Sequence, residues 1–159
     1  MNEDRTSHGM GANNDTIKVE NEDWGMDMKE TVWGMIGCGD VTEKKSGPGL
    51  YKASGSRLKG VYNRTEAKAH DWVNRHGYGQ VYATVEELLA DDEITAVYIA
   101  TPPATHFDYA MQVIAANKVP LIEKPMARTF EECQAILDAA GENGFPVFVS
   151  FYRRALEKF

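Results

Sequence analysis

The stretch Thr31-Val32-Trp33-Gly34-Met35-Ile36-Gly37-Cys38-Gly39-Asp40-Val41-Thr42 decides the fold. Its first six residues read as a strand, and they run straight into a G-x-G-x-x-x turn where a helix should begin. Gly37 permits the tight turn. Gly39 lets the backbone approach a pyrophosphate, whose charge the amides at Asp40 and Val41 and the helix dipole would stabilise. Two features depart from the usual pattern: Thr42 stands where a third glycine or alanine is common, and Gly47-Pro48-Gly49 interrupts the helix that follows. Both are expected to weaken the cradle. Alone, such a turn is often an ordinary glycine turn; its place after the first strand of an alternating pattern is what raises the dinucleotide reading.

Working outward, short apolar runs alternate with amphipathic stretches. Strands are predicted at Thr31 to Ile36, Leu58 to Tyr62, Gln80 to Tyr82, Ala96 to Ala100, Pro120 to Ile122 and Pro146 to Ser150. Helices are predicted at Thr65 to Arg75, Val85 to Ala90, His106 to Ala116 and Phe130 to Asn143. Thr84 with Glu87, and Thr129 with Glu132, fit a capping box; Thr65 and Thr105 are further candidate caps, and Gly77 and Gly144 mark helix ends. The pattern predicts an α/β fold: a doubly wound, mostly parallel Rossmann sheet of about six strands with helices on both faces, and ligands beyond the strand C-termini.

Residues 1–30 hold eight acidic and three basic residues without periodicity, and read as a disordered acidic tail. Residues 31–150 form the predicted Rossmann domain, and 151–159 the start of a linker. A chain of 159 residues has room for one such core and not for a second domain of similar size. With 17 basic against 24 acidic residues the net charge of -7 disfavours nucleic acid or anionic lipid as partner. No long apolar run or signal-like N-terminus appears, so a soluble, cytoplasmic protein is expected, with no membrane partner. Cys38 and Cys133 lack the spacing of a disulfide framework or zinc knuckle, and the four histidines show no ligand spacing; no metal is expected.

The strand ends carry the chemistry. Tyr62-Asn63-Arg64-Thr65 lacks the acid that would take the adenosine ribose of NAD. Asn63 can bind a hydroxyl, and Arg64 and Thr65 can meet a 2′-phosphate, which favours NADP over NAD; an arginine on a solvated helix start is the competing reading. Thr101-Pro102-Pro103-Ala104-Thr105-His106 and Glu123-Lys124-Pro125 turn out of the sheet at its ligand-binding rim, since proline cannot continue a strand. From the residues alone, His106 fits a locally satisfied first-turn side chain as well as a functional one, and Glu123 and Lys124 read as solvated residues beside a turn.

Taken together, Gly37-Cys38-Gly39, Thr101 to His106, Glu123-Lys124-Pro125 and Phe151-Tyr152-Arg153-Arg154 resemble, in order and spacing, the Gfo/Idh/MocA oxidoreductases. The resemblance covers Thr31 to Phe159. It implies NAD or NADP as cofactor, held by Gly37, Gly39, Asp40, Val41, Asn63, Arg64, Thr65, Thr101, Pro102, Pro103, His106, Glu123 and Lys124. It also implies hydride transfer to or from a CH–OH or C=O carbon of a sugar, cyclitol or related polyol. Lys124 would be the catalytic residue beside nicotinamide and reacting oxygen, Glu123 would lie near the nicotinamide ribose, and His106 would belong to the cofactor loop. The family's larger C-terminal substrate domain, which brings the acid–base histidine and the contacts of a homo-oligomer, has no counterpart here, so the chain alone is expected to bind cofactor and turn over nothing. Two other readings stay open: a non-catalytic module that senses NADP(H), and an unrelated Rossmann protein sharing only the glycine turn.

Overall fold

The computed structural model describes residues 30–151; the expectations placed on residues 1–29 and 152–159 lie outside them. Six strands, β1 (Thr31–Ile36), β2 (Ser56–Tyr62), β3 (Gln80–Val81), β4 (Ala96–Ile99), β5 (Val119–Glu123) and β6 (Phe148–Ser150), form one sheet in the order β3-β2-β1-β4-β5-β6. Every pairing is parallel. The chain builds outward from β1 on one side, then returns to lay β4 on the other. The crossovers on either side of β1 and β4 therefore part, leaving a crevice beyond their C-terminal ends.

Period-2 alternation explains how the sheet buries both faces. On β4, Val97 and Ile99 enter a core with Ile36, Leu88, Val113, Ile122 and Ile136. Tyr98 and Ala100 point the other way, toward Met35, Val61, Ala69 and Trp72. Each fully buried large side chain of this kind contributes roughly 1.5–3 kcal/mol. Gly34 and Gly60 keep the sheet thin where helices and turns lie close: a Cβ on Gly34 would stand 2.7 Å from Leu88 Cδ2, and one on Gly60 2.8 Å from the Tyr82 ring.

The helices are α1 (Asp40–Lys44), α2 (Gly49–Lys52), α3 (Glu66–His76), α4 (Val85–Leu89), α5 (His106–Ala115) and α6 (Phe130–Glu142), with a 3-10 turn over Pro103–Thr105. Thr84 and Thr129 cap as expected, accepting from the amides of Glu87 and Glu132. In both boxes the glutamate reaches one residue further back than the cap, to the amides of Ala83 and Arg128. Gly77 closes α3 in the left-handed region. Thr65 and Thr105 do not cap. Asn63 Oδ1 accepts from the Thr65 amide in an Asx turn instead, and the Thr105 hydroxyl donates to Thr101 Oγ1 and the Pro102 carbonyl.

After β1 the helix is interrupted at Gly47-Pro48, as expected, and falls into two short ones, α1 and α2. Thr42 is fully buried and its hydroxyl donates to the Gly39 carbonyl at 2.7 Å. The chain then folds back so tightly that a Cβ on Gly47 would lie 1.9 Å from the Thr42 carbonyl oxygen. The two departures from the glycine pattern thus form one feature: Thr42 braces the turn, and Gly47 is the residue that can pass over it. Among the described residues no helix is long and apolar enough to cross a membrane.

Candidate functional site

Gly37 is buried with φ of +102°, and a Cβ there would meet the Ala100 carbonyl oxygen at 2.8 Å. Its amide donates to the Tyr62 carbonyl, so the turn is pinned between β2 and β4. Gly39 differs. It has an ordinary φ of -88°, and the nearest atom a Cβ would find is 3.9 Å away. Among the described residues no neighbour requires its missing side chain, and the backbone is open from the crevice side. An open backbone at the first amides of a helix fits a diphosphate, and by this test the described residues fit a dinucleotide.

Two cavities flank this turn. One, of about 280 Å³, is lined by Gly37, Cys38, Gly39, Asn63, Arg64, Thr65, Lys68, Thr101, Pro102, Thr105 and Tyr109 among others. Arg64 and Lys68 are exposed on it, with no ion pair among the described residues. Lys68, in the first turn of α3, was missed from the sequence, although its place four residues after Arg64 was a readable signal. Asn63 has less freedom than expected, since its carbonyl oxygen already holds the Thr65 amide. Burial pushes the Cys38 thiol up to about 11, so it stays protonated beneath the turn.

The second cavity, of about 610 Å³, lies between the ends of β1, β4, β5 and β6 and is lined by Asp40, Val41, Lys45, Ser46, Thr101, Glu123, Lys124, Ser150 and Phe151. Its floor is a hydrogen-bonded group around Glu123, which is only 7% exposed. Glu123 Oε1 accepts from the Tyr98 hydroxyl at 2.7 Å and from Ser46 Oγ at 3.0 Å, and Oε2 accepts from the Lys124 amide at 3.2 Å. Ser46 spends its one proton on Glu123, so at the 3.0 Å contact between the serines Ser150 is the donor. Burial pushes the Tyr98 phenol up, keeping it a donor. Glu123 lines this cavity, with both of its oxygens held within the protein. Tyr98, Ser46 and Ser150 carried no sequence signal, because their partners are distant along the chain.

Lys124 is exposed at the rim, and no ion pair to its ammonium occurs among the described residues. It precedes a cis peptide to Pro125. Behind it stands His106, fully buried, with Nδ1 2.8 Å from the Pro125 carbonyl and Nε2 2.8 Å from the Thr101 carbonyl. This corrects the assignment of His106 as a cofactor-binding side chain. It lines neither cavity and joins the backbones of the two rim loops. Pro103 also lies outside both cavities, in the first position of the 3-10 turn, where its missing amide costs nothing.

Comparison with known proteins agrees with this architecture. The family described as oxidoreductase family, NAD-binding Rossmann fold (Gfo/Idh/MocA), matches residues 32–151. An oxidoreductase of Formosa agariphila is 44% identical over 124 residues, which are 78% of this chain and 39% of that protein. Inositol 2-dehydrogenase 2 of Saccharopolyspora erythraea is 32% identical over 122 residues, 76% of this chain and 36% of that protein. The chain thus spans under two-fifths of the length of these relatives. Among solved structures, a 3-ketoreductase from Actinomadura kijaniata, in complex with NADP and TDP-benzene, superposes with a TM-score of 0.77 at 23% identity, covering 81% of this chain and 39% of that one; this similarity concerns the fold. The unrelated-Rossmann reading is thereby set aside, and the chain belongs to the Gfo/Idh/MocA oxidoreductases, as their NAD-binding Rossmann domain.

Proposed function

We propose that this domain binds NADP in preference to NAD, and that it serves an enzyme passing hydride to or from a CH–OH or C=O carbon of a sugar or cyclitol. The observation that carries the reading is that the Lys124 ammonium, unpaired among the described residues, lines one cavity beside the turn after β1 and the Arg64 and Lys68 cations line the other. The matching inositol dehydrogenase supports the polyol class of substrate.

When bound, the nicotinamide supplies the hydride donor or acceptor. Everything else falls to the chain. The backbone from Gly37 to Val41 takes the diphosphate on its first-turn amides. Arg64 and Lys68 set two positive charges where a 2′-phosphate would project, and Thr65 adds a hydroxyl. Thr101 and Pro102 form the wall across the turn. Lys124 places an ammonium where an oxygen gains alkoxide character, stabilising that charge and holding a proton at Nζ for transfer. Glu123 is the support on which the backbone of Lys124 rests.

Fluorescence titration of the chain with NADPH and NADH tests the cofactor part. NADPH should bind about fivefold to tenfold more tightly, and Arg64→Ala should remove most of that difference. Equal or tighter binding of NADH would overturn the preference. For the chemistry, Lys124→Met in the full-length protein should lower kcat about a hundredfold with little change in cofactor affinity.

A further inference from the structure

We infer that the broken-helix segment Lys45 to Pro48 is part of the reacting-end site, and that Lys45 acts there with Lys124 to bind an anionic group, carboxylate or phosphate, on the substrate. The inference rests on the dinucleotide reading above and deepens it by naming a substrate class.

The fold-back over Thr42 delivers this segment. Had α1 continued past Lys44, its next turn would have carried residues 45 and 46 onward along the helix axis. Instead, the Ser46 amide closes onto the Val41 carbonyl at 3.1 Å, Gly47 passes over Thr42, and the Ser46 side chain arrives beside Glu123 and Ser150. Ser46 thereby fastens the segment to the ends of β5 and β6. Lys45, its neighbour, lines the same cavity as Lys124.

The two cations of that cavity are the groups available to an anion. Its wall carries two ammonium groups, Lys45 and Lys124, and two carboxylates, Asp40 and Glu123. Glu123 is committed to Tyr98, Ser46 and the Lys124 amide. Asp40 is exposed, in the first turn of α1. Neither lysine has an ion pair among the described residues. A sugar acid or sugar phosphate can pair with both exposed ammonium groups, which a neutral polyol cannot. The cofactor diphosphate is the competing anion for Lys45. It is separable, because its cradle is the Gly37–Val41 backbone.

The test follows amide resonances of the chain by NMR, which detects the weak binding expected of a single domain, with and without saturating NADP. The probes are D-gluconate, D-glucose 6-phosphate and neutral myo-inositol. At least one of the two anions should shift Ser46, Lys124 and Ser150 with an affinity about threefold or more above that of myo-inositol, and the excess should shrink at high salt. Response to gluconate alone identifies a carboxylate subsite, and response to glucose 6-phosphate alone a phosphate subsite. Lys45→Met should abolish the excess and leave NADPH affinity within about twofold. Binding of myo-inositol as tight as that of both anions, or an excess that survives Lys45→Met, would overturn the inference. So would a loss of NADPH affinity in Lys45→Met comparable to the loss of anion binding. Failure of NADPH to bind the unaltered chain would instead strike the cofactor reading, and the cofactor-free arm would still decide the anion site.

Discussion

At the reacting end of the crevice, Glu123 is held by Tyr98, Ser46 and the Lys124 amide, and Ser150 joins through Ser46. At the other end, Arg64 and Lys68 are exposed and unpaired among the described residues, and only the turn beneath them is fixed, by Asn63. Both ends flank the Gly37–Gly39 turn, yet one fixes the buried Glu123 carboxylate and the Lys124 backbone through a closed network, while the other presents exposed charge beside a turn held by Asn63. On the proposed function, hydride transfer would need close placement of a reacting oxygen, and the network that fixes the Lys124 backbone would serve it. On the same proposal, a 2′-phosphate would be recognised by charge over several ångströms, for which the exposed cations of Arg64 and Lys68 suffice.

The largest effect expected from breaking this contrast comes from Gly47→Ala. The new methyl would collide with the Thr42 carbonyl, backbone against Cβ, and should cost about 3 kcal/mol in denaturant unfolding. The damage falls on the reacting end: the ratio of NADPH to NADH affinity should persist in any folded variant, because Arg64 and Lys68 are untouched. A smaller loss, about 2 kcal/mol, is expected for Tyr98→Phe, which removes one donor to a buried carboxylate without changing shape. Measured by the same unfolding experiment, a loss near zero would mean that the Glu123 network does not order that end.

The smallest effect belongs to the outer surface beside the adenosine end. Hydrogen bonding from Arg75 holds the Glu43 carboxyl down at about 2, from an ordinary 4.5. A depressed carboxylate stabilises the fold fully above its unfolded value, and that contribution is lost as pH falls from about 4.5 through about 2. Arg75→Met should therefore flatten the acid side of the stability curve and leave the region above pH 5 nearly parallel to that of the unaltered chain. Unfolding midpoints recorded across that range check the shape.

Much of the architecture was legible. The six strands and the four helices α3 to α6 were placed by alternation, helical spacing and the Thr84 and Thr129 caps, since these signals are local. β1 matches its predicted bounds, while β2 begins two residues earlier, at Ser56, whose hydroxyl accepts from the Trp33 indole across the sheet. What escaped was contact between distant residues. Gly47-Pro48-Gly49 read as damage to the helix because nothing local reveals that Gly47 crosses the Thr42 backbone. Ser46 and Tyr98 were invisible because they meet at Glu123, 77 and 25 residues away. His106 had two readings from its sequence, and burial between the Thr101 and Pro125 carbonyls selects the structural one. Lys68 was legible but overlooked.

The central claim is that the turn after β1 receives a dinucleotide on its open backbone, and Gly39 is where that claim separates from folding. Gly37 cannot be changed without strain, but a side chain at Gly39 meets only an oxygen 3.9 Å away and needs no unusual φ. Gly39→Val should therefore unfold within about 1 kcal/mol of the unaltered chain. Titrated with NADPH, the unaltered chain should saturate, and the variant should bind at least about tenfold more weakly, because the isopropyl group occupies the path of the diphosphate. Undiminished NADPH binding by a folded Gly39→Val chain would contradict the account.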